Sequence, residues 1–499
     1  MKKQLSLLAL SVALVPSVHS MQALDDSTMS GVTGQAGLTI EQTTTGANGV
    51  MLETGEIRYT QADNSGDGEV SLTIDGMSMR SYVYDASKPD NFGGYNTIKR
   101  IIDIDADGNL FITTRDVDTL DIHLGAIAIG GRRLMGGMDI NVWKHAPGSY
   151  SQTEIKNTPE GAKIYMRNVM TEGSGYSSIR YENDMQIAYD TQYIPIDPST
   201  PFESELILSK TAEGIRLDVG KVVGTMEING LSILDENGNN VFGAGNSFGD
   251  IGFGNVSVPT GSTYVTIGAN TAPGENGLKG RIASSMNIGE VYYRTAGSRL
   301  NLGDVNFSTG GELEYKLALM DNGYVSGIEA RIESIGVASA SLRIGSLSFS
   351  NGDGTGNTTS LGGIALSDIG LEGGDLQVGL YTKSGWGSEG LMQVISTDHI
   401  RFDFEIYDEF DMKNYDDPDL RAAAPKLSAE IVINDFAQEQ TTNYTKKGIR
   451  ILTDITTNSM DVNINNLKAG NNSTYQGHAG RIVMNGFRQG GSINIEPIH

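Results

Sequence analysis

Met226-Glu-Ile228-Asn-Gly-Leu231-Ser-Ile233 is the stretch through which the fold can be read. Two apolar residues stand two apart, two small polar residues follow, and a second apolar pair completes the unit. In a strand, residues two apart share a face, so each pair points to one side with a polar residue on the other. A gap of two would turn the second pair to the opposite face if the strand ran straight. The gap therefore holds a bulge or corner that resets the phase. Its occupants, Asn229 and Gly230, are types that tolerate positive φ or bond their own backbone.

The unit recurs at 72–79, 122–129, 251–258, 300–307, 342–349, 364–371 and 462–469, with degenerate copies beginning at Ile164, Ile431 and Ile482. Its gap is nearly always Gly, Asn, Asp, Ser or Ala. Each copy predicts strand, corner, strand, with Ile228, Leu231, Leu302, Val305, Ile344 and Leu347 turned inward and Glu227, Asn301 and Arg343 outward. Successive copies mostly start near one, two or three multiples of roughly 20–25 residues, the length of a solenoid coil or a hairpin pair. Elsewhere plain alternation dominates, as in Ile400, Phe402, Phe404 and Ile406, and helical periodicity is almost absent. The expected fold is all-β: an elongated, irregular β-solenoid or β-roll built from strand–corner–strand repeats, with an aligned β-sandwich as the alternative.

Composition narrows the function classes. The chain has 499 residues, with 61 acidic against 36 basic side chains and a formal net charge of −25. Nucleic acid is not an expected partner, because phosphate binding needs clustered Lys and Arg. There are no cysteines, which excludes disulfides, Cys-ligated metals and a Cys nucleophile. Lys2 and Lys3, the apolar run from Leu5 to Val15, Pro16, and Val18-His19-Ser20 make the three parts of a secretory signal peptide over residues 1–20. Residues 21–45 read as a flexible leader and 46–499 as the β-repeat region. No later segment is apolar for long enough to span a membrane as a helix. The expected location is the periplasm, outer membrane or cell surface.

After the signal the chain reads Met21-Gln-Ala-Leu24-Asp25-Asp26-Ser-Thr-Met-Ser-Gly31-Val-Thr33-Gly34-Gln35-Ala-Gly37-Leu38-Thr39-Ile40. This resembles the start of a family of exported Gram-negative proteins of unknown function, whose mature chains open with ALDD and continue to a TGQ-x-GLTI run. Some of its members carry a pilus-system (Fil) label. The strict resemblance covers about the twenty residues just quoted. It implies export and a place at the surface or outer membrane, with other cell-envelope or pilus proteins as partners, and it supplies no catalytic residues to carry over.

Among motifs that carry chemistry, Asp103-Ile-Asp105-Ala-Asp107-Gly108 fits the first half of a D-x-D-x-D-G calcium loop. The twelfth position is Thr114 where a helix–loop–helix site needs Glu, and the flanks look like strands. The expected candidate is thus a turn-borne calcium site on Asp103, Asp105 and Asp107; the other reading is a solvated acidic turn. Asp63 to Glu69, and Asp235 with Asn237 and Asn239, are weaker versions. The histidines lack metal spacing, no G-x-S-x-G elbow occurs, and the glycine strings lack the Lys of a phosphate loop. The expected function is a non-enzymatic structural protein of the envelope, in a pilus-like system as the resemblance implies. The alternatives are a calcium-stabilised adhesin or ligand-binding protein and, below that, a secreted polysaccharide-active enzyme.

Overall fold

A computed structural model describes residues 40–44 and 50–495 apart from short internal segments, the longest of which is 408–426. The signal peptide, most of the leader and residues 63–67 of the weaker acidic run lie outside the described residues. The all-β class holds: every named element is a strand.

The strands form two antiparallel ladders. The first runs, neighbour to neighbour, through Ile40–Thr44, Ile98–Ile104, Leu110–Arg115, Tyr150–Thr158, Gly161–Met170, Phe202–Lys210 and the start of Ile215–Leu234. It continues through Tyr264–Ala269, Leu278–Ala283, Leu313–Asp321, Val325–Ser334 and Asp375–Lys383. The second runs through Val50–Thr54, Met77–Tyr84, Thr119–Leu124, Met138–Trp143, Gly173–Tyr181, Met185–Ile194 and the end of Ile215–Leu234. It continues through Gly249–Ser257, Ser285–Thr295, Ser298–Ser308, Ala340–Asn351 and Thr358–Gly370. Both ladders end on the long strands Gly390–Tyr407, Leu427–Thr445, Gly448–Ala469 and Gly477–Ile495, each of which gives one half to either ladder.

The chain visits the ladders in turn. It passes from one to the other within a strand or across a short break, such as Ser284 between Ala283 and Ser285, and reverses at the outer ends. The result is a single meander whose lines cross both ladders. Stacked solenoid coils would pair in parallel. Every pairing among the described strands is antiparallel instead, because the chain turns back through hairpins such as Ala296-Gly297 between Thr295 and Ser298. The eight-residue pattern fits either topology, so sequence alone did not separate them.

Four of its corners hold a left-handed residue. Gly230, Asn255, Asp304 and Asp368, each the second gap residue of its copy, take φ of 63°, 51°, 50° and 52°. Only Gly enters this left-handed region freely, with Asn and Asp next because their side chains bond locally. Pairing skips at the corner: Gly254 faces Glu290 and Val256 faces Ile288, leaving Asn255 and Gly289 between. Opposite Asn255 and Asp304 stands a glycine. A Cβ on Gly289 would lie 3.0 Å from that of Asn255, and one on Gly345 2.8 Å from that of Asp304.

The copies at 72–79 and 122–129 turn more sharply. Their first and second halves belong to different sheets, split at Asp75-Gly76 and Gly125-Ala126. Four strands thereby leave the second ladder and continue as a small sheet ordered Ile57–Ala62, Glu69–Ile74, Ile127–Ile129, Arg132–Met135. Its face carries the main apolar core: Val70, Ile129 and Leu134 pack with Leu319 of the first ladder, flanked by Tyr59, Leu72, Ile127 and Ile328. Gln61 Nε2 donates to the Leu319 carbonyl at 2.9 Å, across 258 residues of chain.

Two expectations change. Residues 40–44, assigned to the leader, form a strand paired with 98–102. The inward and outward residues also show no contrast in burial, since Ile228, Leu231, Leu302, Val305, Ile344, Leu347, Glu227, Asn301 and Arg343 are all half-buried. Long polar side chains lie over the sheet and cover it with their own stems.

Candidate functional site

The acidic run forms a tight hairpin between Ile98–Ile104 and Leu110–Arg115. Asp105 Oδ1 accepts the backbone N–H groups of Asp107 (3.0 Å) and Asn109 (2.8 Å), and its Oδ2 accepts Asn109 Nδ2 (2.8 Å). Gly108, at φ 78°, donates its N–H to the Asp105 carbonyl. The bonds from Asn109 hold the Asp105 carboxyl below its ordinary range. Asp103 stands half-buried at the end of its strand and Asp107 is exposed on the turn. Among the described residues, no three His, Asp or Glu side chains stand together as a metal-holding group.

Asp235 repeats the clip on a second hairpin: its oxygens accept Asn239 N at 2.8 Å and Asn239 Nδ2 at 3.1 Å. The shared spelling, Asp-x-(Asp/Asn)-Gly-Asn, is a loop closed by the carboxylate of its first residue. Of the histidines, His123 Nδ1 lies 2.6 Å from Asp139 Oδ1 and His399 Nδ1 lies 2.7 Å from Asn434 Oδ1. His145 and His499 lie outside the described residues.

The densest polar chemistry is one that sequence reasoning missed, a set of tyrosines lying across glycines. Glu227, Gly252, Tyr292 and Asn301 stand side by side on four successive strands of the second ladder. Tyr292 is 4% exposed, and its ring lies so close over Gly252 that a Cβ there would fall 2.1 Å from Cε1. Its hydroxyl reaches beyond the glycine to donate to Glu227. The Arg299 guanidinium sits 3.9 Å from the ring centroid and pairs with Glu290, while Arg294 pairs with Asp250 at 3.0 Å. Burial, and then the Glu227 carboxylate, push the Tyr292 phenol far above its ordinary range.

The first ladder repeats the device. Tyr315 lies against Gly280 and donates to the Thr266 carbonyl at 2.7 Å. Tyr381 lies against Gly327 and Gly379 and bonds Glu329 at 3.3 Å. Burial and Glu329 raise its phenol from 10.0 to about 12. An aromatic ring laid over a cross-strand glycine fills the gap left by the missing side chain and pins register. Each hydroxyl donates across the strands, so the arrangement tightens the sheet. The signal, 64 glycines beside 20 tyrosines, was visible in the composition, but the pairing is set by register across strands.

Residues 1–106 match a family of unknown function (DUF6160). No curated protein and no solved structure matches the chain.

Proposed function

We propose that this chain is an exported structural protein of the cell envelope, held at the surface or outer membrane, whose work is to present a stiff, extended sheet. The observation that carries the reading is the tyrosine–glycine pairing just described, in which the sheet's arginines, glutamates and buried phenols bond one another across strands. Such a surface resists shear and register slip. The signal-peptide pattern at 1–20 supports export, and the N-terminal resemblance supports association with other envelope or pilus-like components. An excess of acid keeps an extended surface soluble.

The finer architecture we infer is a roll. The small sheet springs from the first four places of the second ladder, yet its core lies on Leu319 in the tenth place of the first. Six places at about 4.8 Å each separate these by roughly 29 Å in a flat sheet. The six residues of Glu69–Ile74 extend only about 20 Å, so the sheet curls to bring the two together. Calcium stays a secondary reading, supported by the three carboxylates spaced along 103–107.

Fractionation of host cells with surface protease shaving, read with the N-terminal sequence of the recovered protein, tests the function. Processing near residue 20 and recovery in the envelope are expected; an intact Met1 in the cytoplasm would overturn it.

A further inference from the structure

The meander has two ends, and among the described residues neither is paired on its outer side. Among the described residues, Gly477–Ile495 pairs only with Gly448–Ala469, and the first line, Ile40–Thr44 followed by Val50–Thr54, pairs only on its inner side. A long open edge offers a row of backbone donors and acceptors to another strand, and soluble proteins ordinarily blunt it. Where its side chains are described, this edge exposes apolar residues. Arg481, Ile482, Val483 and Met484 are consecutive and all exposed, the three apolar ones at 45%, 47% and 40%. Alternate residues of a strand point to opposite faces, so apolar surface is left open on both sides of the sheet at this edge.

We propose that the open edge of Gly477–Ile495 takes up the first line of a second copy of this chain, so that copies join head to tail into one continuous antiparallel sheet. Two observations choose this occupant. The first is direction. The first line runs from the first ladder into the second, whereas Gly477–Ile495 runs from the second into the first. Laid side by side they are antiparallel, with each ladder continuing into its counterpart.

The second is charge. In a chain of net charge −25, the sequence 477–495 carries Arg481 and Arg488 and no acid, whereas 40–54 carries Glu41 and Glu53 and no base. Glu53 and Arg481 are both exposed and both lie in the second-ladder half. Two basic edges would repel and a basic edge against an acidic one attracts, so pairing between unlike edges is favoured over pairing between like edges. A contact between unlike surfaces repeats from copy to copy, giving a ring or a filament. This inference does not depend on where the protein resides.

The absence of cysteines makes the test clean. Full-length Val483→Cys and Leu52→Cys would be treated with a short bismaleimide, each alone, mixed, and combined in one chain, with solution mass followed by light scattering against concentration. The expected results are a covalent pair from the mixture, no pair from either variant alone, and a ladder of multimers from the combined chain. Ile482→Glu with Met484→Glu, which puts acid opposite the acidic first line, should weaken self-association at least about tenfold if it keeps the parent's circular dichroism. Cross-linking within one chain would mean that the two edges close on each other and would overturn the proposal. Self-linking of Val483→Cys alone, or a monomer mass throughout with no cross-link, would overturn it equally.

Discussion

Gly252→Ala isolates the contact on which the tyrosine–glycine pairing rests. The added methyl would lie 2.1 Å from Tyr292 Cε1 and 2.2 Å from Cζ, where real Cβ contacts stay beyond 3.0 Å. The ring, 4% exposed, must lift. Re-exposing about 80 Å² of ring at about 25 cal/mol per Å² costs about 2 kcal/mol. Weakening the bond to Glu227 adds about 1 kcal/mol once water replaces it. Against this, Ala stiffens the unfolded chain and favours folding by about 0.5 kcal/mol. The net loss is about 2.5 kcal/mol. Gly254→Ala is the control two residues along, where the nearest atom would be Glu290 Cβ at an ordinary 3.4 Å. Equilibrium denaturation of both variants and the parent, with hydrogen exchange read at 225–234 and 285–295, makes the comparison. Gly254→Ala should stay within about 0.5 kcal/mol of the parent. Equal midpoints for the two variants would refute the reasoning.

Three further outcomes follow from the same contacts. Leu319→Ala, at a side chain 1% exposed in the core beneath the small sheet, should lower stability by about 2–5 kcal/mol and raise exchange at 57–74. Tyr381 is raised from 10.0 to about 12, so its stabilisation is complete below pH 10 and lost as pH climbs to 12, because the unfolded chain ionises first. Tyr381→Phe should flatten that part of a pH–stability curve, and an unchanged slope would count against burial of the phenol. If Asp103, Asp105 and Asp107 hold calcium, millimolar calcium should raise the melting temperature over EDTA, and Asp105→Asn with Asp107→Asn should remove the increment; equal melting in both buffers leaves a hairpin closed by Asp105 alone.

What could be read from the sequence was local. The corner at Asn229-Gly230, and those at Asn255, Asp304 and Asp368, show in the chain because the left-handed backbone admits few residue types, and the structure puts all four there. Sheet direction did not show, since the same corner serves a parallel coil and an antiparallel line. The partner of Tyr292 did not show either: Glu227 lies 65 residues away, reached across an intervening strand at Gly252. No local rule connects the three. The Asp105 turn was seen as carboxylates at calcium spacing, and what the spacing left out was Asn109, whose bonds to Asp105 close the hairpin.

The claim that the lines through Asn255, Asp304 and Asp368 bend at a left-handed residue in the two-residue gap is tested most directly at these three non-glycine corners. Asn255, Asp304 and Asp368 would each be replaced by Gly and by Val, with stability measured by denaturation. Gly fits positive φ and should stay within about 1 kcal/mol of the parent, whereas Val at the same backbone should lose about 1–3 kcal/mol at every corner. Val and Gly variants of equal stability at these positions would mean that the corners are ordinary extended strand, and the account of the fold would fail with them.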